Sequence, residues 1–147
     1  MRSKSLRDAA GEQTWAVILE TGDEAMECLR KFAAEHGLDS ARITAIGAFE
    51  RADLAWFDWE AKDYVPIPVR EQTEVCSFLG DIVEGADGKP TVHVHVVLSR
   101  RDGSAGAGHL DSGLVRPTLE VMVTETPGHL RKRMDPEVGL PLIKIAG

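Results

Sequence analysis

The chain has 147 residues, 43% hydrophobic and 28% charged, with a formal net charge of −7 at pH 7 and a pI near 5.2. This is the size and composition of one soluble domain with a single core. The acidic balance speaks against broad, sequence-independent nucleic-acid binding, which needs cations to neutralise phosphates, and no apolar run approaches the ~20 residues that span a bilayer.

Residues 1–11 are polar, without the apolar centre of a secretory signal. They read as a flexible lead-in or at most a first strand, which leaves residues 12–147 as the domain. In residues 13–20, Trp15, Val17 and Leu19 alternate with less apolar neighbours, the period of a strand. Thr21-Gly22-Asp23-Glu24 has the spacing of a capping box, so a helix is expected to start there. Met26, Leu29, Phe32, Ala33 and His36 recur at helical spacing, and Gly37 is a natural stop. His36, at the helix end, suits capping carbonyls and meeting the dipole better than a chemical role.

Residues 42–48 and 52–58 read as two strands, with Gly47 marking a bulge or a close approach of backbones. Residues 63–69 carry Pro66 and Pro68, which confine them to a sheet edge or a loop. Residues 74–83 form a strand pair or one long bent strand. Asp87-Gly88 suits a hairpin turn leading into the strand with His93 and His95. A glycine-rich loop, 103–109, precedes a further strand over 114–125. Beyond Thr126, prolines 127, 136 and 141 predict an irregular tail, with a short basic strand or turn at 130–133. One helix against about seven strands, without strand–helix alternation, predicts an α+β fold: a mainly antiparallel, bent β-sheet with one principal flanking helix in a compact single domain. Cys28 and Cys76 lie far apart and suggest no disulfide, as fits a reducing cytoplasm.

The densest chemistry lies in residues 91–113. His93 and His95 stand at i and i+2, so on a strand their imidazoles share one face, opposite Val92, Val94 and Val96. If the glycine loop folds back, His109 joins them. Three neutral imidazoles can hold zinc or another divalent transition metal and leave a position open for water or substrate. Hydrogen-bonded, half-buried strand histidines are the plain alternative. Glu120, on the strand after His109, is the candidate general acid/base or fourth ligand, and Glu74 is a weaker one. The glycine loop lacks the G-K-[ST] of a phosphate loop. Ser104 or Ser112 with His109 and Asp111 has no distinctive nucleophile spacing. Asp58 and Glu60 read as solvated, Arg131-Lys132-Arg133 as too short for nucleic-acid contact, Trp56 and Trp59 as core and subunit-contact area rather than a base-stacking platform, and His129 as an exposed turn residue.

Residues 22–38, 43–58, 74–123 and 134–143 together resemble the plants and prokaryotes conserved (PPC) domain, in its single-domain bacterial form, over nearly the whole chain. The most specific piece is an ordered set: His93-x-His95, Asp102-Gly103, Gly108-His109-Leu110, then Thr118-Leu119-Glu120-Val121. The resemblance implies a homotrimer and a fold similar to acetolactate decarboxylase, in which H-x-H and a later histidine hold zinc. Carried over, the ligand positions are His93, His95 and His109. Metal-assisted chemistry on a small carbonyl or carboxylate compound would follow. Plant members join the domain to AT-hooks in DNA-binding proteins. This chain has no R-G-R-P-type AT-hook, and QTEVCS (72–77) stands where plant members carry G-R-F-E-I-L, so direct DNA binding is disfavoured. The alternative expectations are a DNA-binding, regulatory or interaction module without catalysis, and a purely structural trimerisation domain.

Overall fold

The computed structural model describes residues 1–7, 13–126, 128 and 130–145. Its elements in chain order are β1 (Arg2–Arg7), β2 (Gln13–Glu20), α1 (Ala25–His36), β3 (Ser40–Asp58), β4 (Asp63–Val69), β5 (Thr73–Glu84), β6 (Pro90–Ser99), β7 (Ala105–Glu125), β8 (Arg131–Asp135) and β9 (Leu140–Lys144). All nine strands join one sheet, antiparallel except where Glu84 of β5 meets Arg131 of β8. The expected α+β architecture is what the chain adopts. Among the described residues no helix is long and apolar enough to cross a membrane.

Two long strands set the shape. The first half of β3 pairs with β5 and with the second half of β7. Its second half pairs with β4 and with the first half of β7. Strand β6 then links β5 to the start of β7, so the sheet curls back on itself. Curling requires bends, and the register shifts at Gly47 supply one. Gly47 has φ +152°, and a Cβ there would lie 2.2 Å from the Thr118 carbonyl oxygen. Only glycine fits this backbone contact. The two strands expected at 42–48 and 52–58 are therefore one bent strand, as is 74–83.

The core lies on the side of the sheet that helix α1 covers. Val17, Leu19, Ile43, Leu54, Val94, Val96, Leu98, Leu110, Val121 and Val123 point there and are buried. They meet Ala25, Met26, Leu29, Phe32 and Ala33, the apolar stripe of α1. The helix starts later than the capping-box spacing predicts. Glu24 is the N-cap itself, its carboxylate accepting from the Met26 and Glu27 amides at 3.1 and 2.7 Å. The same carboxylate accepts from Gly113 N at 2.7 Å and so ties the helix start to β7. Thr21 instead donates to the Pro117 carbonyl. Gly37, with φ +61°, closes the helix as expected.

Of the two readings of the N-terminal segment, residues 2–7 take the strand: they form β1, because their backbone completes an antiparallel ladder on β2. Two expectations meet corrections. Residues 131–144 are a β-hairpin rather than irregular: the short basic strand expected at 130–133 is there as β8, and it pairs with β9. The glycine-rich loop is only a tight turn, since β7 already begins at Ala105. Among the described residues strand β4 pairs with β3 alone, the edge position that Pro66 and Pro68 allow. His129 lies outside the described residues.

Candidate metal centre

Two tight turns fix the histidines in register. Asp87-Gly88 closes the β5–β6 turn with Gly88 at φ +77°, and the ladder then sets Asp81 opposite His93 and Leu79 opposite His95. Asp102-Gly103 closes the β6–β7 turn with Gly103 at φ +81°, and that ladder sets His95 opposite His109. Residues opposite one another in an antiparallel ladder share a face. His93, His95, His109 and Asp81 therefore lie together, on the side away from the core. No loop has to swing in: His109 arrives on a strand.

The three rings cluster, with centroids 4.9 Å apart for His93–His109, 5.0 Å for His93–His95 and 5.7 Å for His95–His109. One ring nitrogen from each lies within 4.8 Å of the others. Side-chain adjustment alone can bring such a set to the bonds of about 2.0–2.1 Å that zinc makes with imidazole. Among the described residues His109 Nδ1 has no hydrogen-bond partner, and it is buried. Burying a polar atom unpaired is unfavourable, and a metal ion would satisfy it. The residues present thus fit a metal.

Carboxylates flank the cluster. Asp81 Oδ2 is 3.8 Å from His93 Nδ1, and Asp111 Oδ1 is 3.6 Å from His109 Nε2. These are electrostatic contacts rather than hydrogen bonds. They resemble the carboxylates that orient metal-bound imidazoles and raise their basicity. The other oxygen of Asp81 accepts from Lys132 Nζ at 2.7 Å. Lys132 is only 7% exposed. Burial pushes the Asp81 carboxyl up, but His93 and Lys132 outweigh it and hold the group below its ordinary value. Burial, helped by the neighbouring His93, lowers the pKa of both His95 and His109. Both therefore favour the neutral form that binds metals.

A groove of about 490 Å³ opens beside His93 and His109. Tyr64 forms part of its wall, its ring 5.0 Å from that of His109 and 5.3 Å from that of Phe57. Burial raises the Tyr64 pKa, so its hydroxyl keeps its proton. The β8–β9 hairpin supplies Lys132, Met134, Leu140, Pro141 and Leu142 to the same groove.

The other sequence candidates lie elsewhere. Glu120 is exposed, opposite Ile18 and Ile46 in the second half of β7, and does not line the groove. The carboxylates beside the histidines are those of Asp81 and Asp111. Glu74 is exposed, between Ala48 and Ser99. Ser112 donates to Asp53 and not toward His109. Asp58 accepts from the amides of Glu60 and Ala61 in a turn. His36 Nδ1 is 3.0 Å from the Phe32 carbonyl oxygen, and the ring stacks on Phe32. Trp56 and Trp59 are exposed, with Lys62 over the Trp59 ring.

Sequence reasoning missed Asp81, Lys132 and Tyr64 as parts of the site. Asp81 could have been found by counting back from the Asp87-Gly88 turn, since it mirrors His93 across the hairpin. Lys132 and Tyr64 reach the site only through tertiary packing.

The model of the Plants and Prokaryotes Conserved (PCC) domain matches residues 7–127. No curated protein matches the chain. Among solved structures, a metal-containing protein from Archaeoglobus fulgidus is 32% identical with a TM-score of 0.83, over 90% of this chain and 93% of that one. A plant- and prokaryote-conserved protein from Pyrococcus horikoshii is 26% identical with a TM-score of 0.84, over 99% and 96% of the two chains. A Bacteroides thetaiotaomicron protein, provisionally described as DNA-binding, is 26% identical with a TM-score of 0.87, over 97% and 96%.

Proposed function

This chain belongs to the Plants and Prokaryotes Conserved domain family, and from that premise we propose that it is a metalloprotein acting on a small carbonyl or carboxylate compound. His93, His95 and His109 are the ligands, and zinc or another divalent transition metal is the ion. The observation that carries this reading is the buried His109 Nδ1, left unpaired inside a cluster of three imidazoles. The metal-containing relative adds support. Once bound, the metal would act as a Lewis acid or lower the pKa of a coordinated water. The chain's own groups divide the remaining work. Asp81 and Asp111 hold the His93 and His109 rings by charge. Lys132 brings a positive charge to the groove lining, and Tyr64 helps to shield the site from water.

The proposed assembly is a homotrimer in the cytoplasm. Ile46, Leu79 and Met122 stand 65, 58 and 41% exposed. Leu79 and Met122 both face Thr44 across the sheet, and Leu79 also faces His95. An apolar group of this kind on an open sheet face suits a subunit interface. Leu79→Asp is expected to leave a monomer in size-exclusion chromatography with light scattering. The two free cysteines, Cys28 and Cys76, suit a reducing compartment.

The catalytic reading is tested by incubating zinc-loaded and chelator-treated protein with 2-oxo and 3-oxo carboxylates and following them by NMR. Turnover by the loaded protein, lost in His93→Ala, is expected. A second reading, a DNA-associated regulatory module, draws on neighbours provisionally described as DNA-binding. It would replace the first if the loaded protein turned over none of these compounds and instead bound duplex DNA with a steep salt dependence.

A further inference from the structure

We infer that the groove beside the histidines takes an amphiphilic carboxylate, a small molecule with an anionic head and an apolar tail. The inference rests on the metal reading above and goes beyond it by naming the ligand class. At about 490 Å³ the groove has the size of a small-molecule site. Its lining joins two chemistries. His93, His109 and Lys132, gathered around Asp81 and one another, make the polar head end. Val92, Met134, Leu140, Pro141 and Leu142 supply its apolar wall, and Met134 stands 62% exposed, with apolar surface to cover.

The charges at the head end select the ligand. An ammonium has three donors, and among the described residues Lys132 uses one of them, on Asp81. A divalent ion together with Lys132 outweighs the carboxylates of Asp81 and Asp111, so the head end attracts an anion. Asp87 also borders the groove, but from an exposed turn where solvent screens it and where it already accepts from the Lys89 amide. A cationic or neutral head would forgo this attraction. A wholly polar anion would leave the apolar wall in water.

The test is calorimetric titration of zinc-loaded protein with butanoate, hexanoate, octanoate and octanol, with zinc content measured on the same samples. Affinity is expected to rise about fourfold per added methylene, and octanol to bind at least about tenfold more weakly than octanoate, because it lacks the charge that the head end attracts. Met134→Asp, an exposed change, should flatten the chain-length dependence. Equal affinity along the series, or octanol matching octanoate, would overturn the inference while zinc content upheld the metal site. Absence of zinc after loading would overturn the metal reading and the groove inference together.

Discussion

Strand β6 has two faces with opposite roles. Val94, Val96 and Leu98 lie on one, sealed against the helix and the rest of the core. His93, half-buried beside the groove, and His95, exposed, lie on the other. The buried face gains its stability from apolar area, and its side chains have their partners within the chain. The histidine face holds imidazoles and a buried ring nitrogen whose natural partner is an ion. The ladder forces both faces onto one backbone, so the rigid face holds the reactive face in place. Damage on the core side should therefore cost stability, and damage on the histidine side should cost metal.

The largest expected effect is on the core side. Phe49 is fully buried, and Phe49→Ala should destabilise the fold by about 3–5 kcal/mol in urea denaturation. On the histidine side the effect should appear only with metal. Zinc at about 100 times its dissociation constant should stabilise wild type by about 2.7 kcal/mol. His93→Ala should lose that gain while its metal-free stability changes by less than about 1 kcal/mol. A large loss of metal-free stability in His93→Ala would break the division between the faces.

Glu24 connects helix and sheet, because one carboxylate serves the helix amides and Gly113 of β7. Glu24→Ala should cost about 1–2 kcal/mol and speed amide exchange at Gly113. A smaller effect concerns pH. The Arg70 guanidinium beside Asp53, with help from Ser112, holds the Asp53 carboxyl below its ordinary value. Its stabilising contribution is present above the unfolded carboxyl pKa of about 3.9 and is lost as pH falls through the folded value. The pair is about half exposed, so solvent screening leaves a few tenths of a kcal/mol. Arg70→Met should remove that acid-side loss in pH-dependent melting. Least of all, Glu120→Gln should change stability by less than about 0.5 kcal/mol and leave zinc content at the wild-type level.

The fold was legible where local patterns agree with the final packing. The alternation of Trp15, Val17 and Leu19, the helical stripe from Met26 to Phe32 and the Asp87-Gly88 turn all mark elements the chain forms. The sequence left the N-terminal strand and the short basic strand at 130–133 as alternatives and missed β9, because these residues are mostly polar or exposed and gain order from ladder partners. The same division runs through the site. His93 and His95 show in the sequence because strand period alone aligns them. His109 was placed on a loop because its glycines read as loop residues. Gly108 is in fact a strand residue lying against β3, where a Cβ would come 2.8 Å from the Ala55 carbonyl oxygen. Glu120 looked eligible because it follows His109 on one strand, yet that strand bends and carries it to another part of the sheet. Lys132 was hidden in a basic run, and only the packing of the hairpin buries it while Arg131 and Arg133 stay exposed.

The most direct measurement is elemental analysis of untagged protein, purified without chelators, for wild type, His93→Ala, His109→Ala and Glu120→Gln. The three-histidine centre predicts about one zinc or similar divalent ion per chain in wild type and Glu120→Gln, and none in either histidine variant. Wild type free of metal, and still free after incubation with zinc, would contradict it.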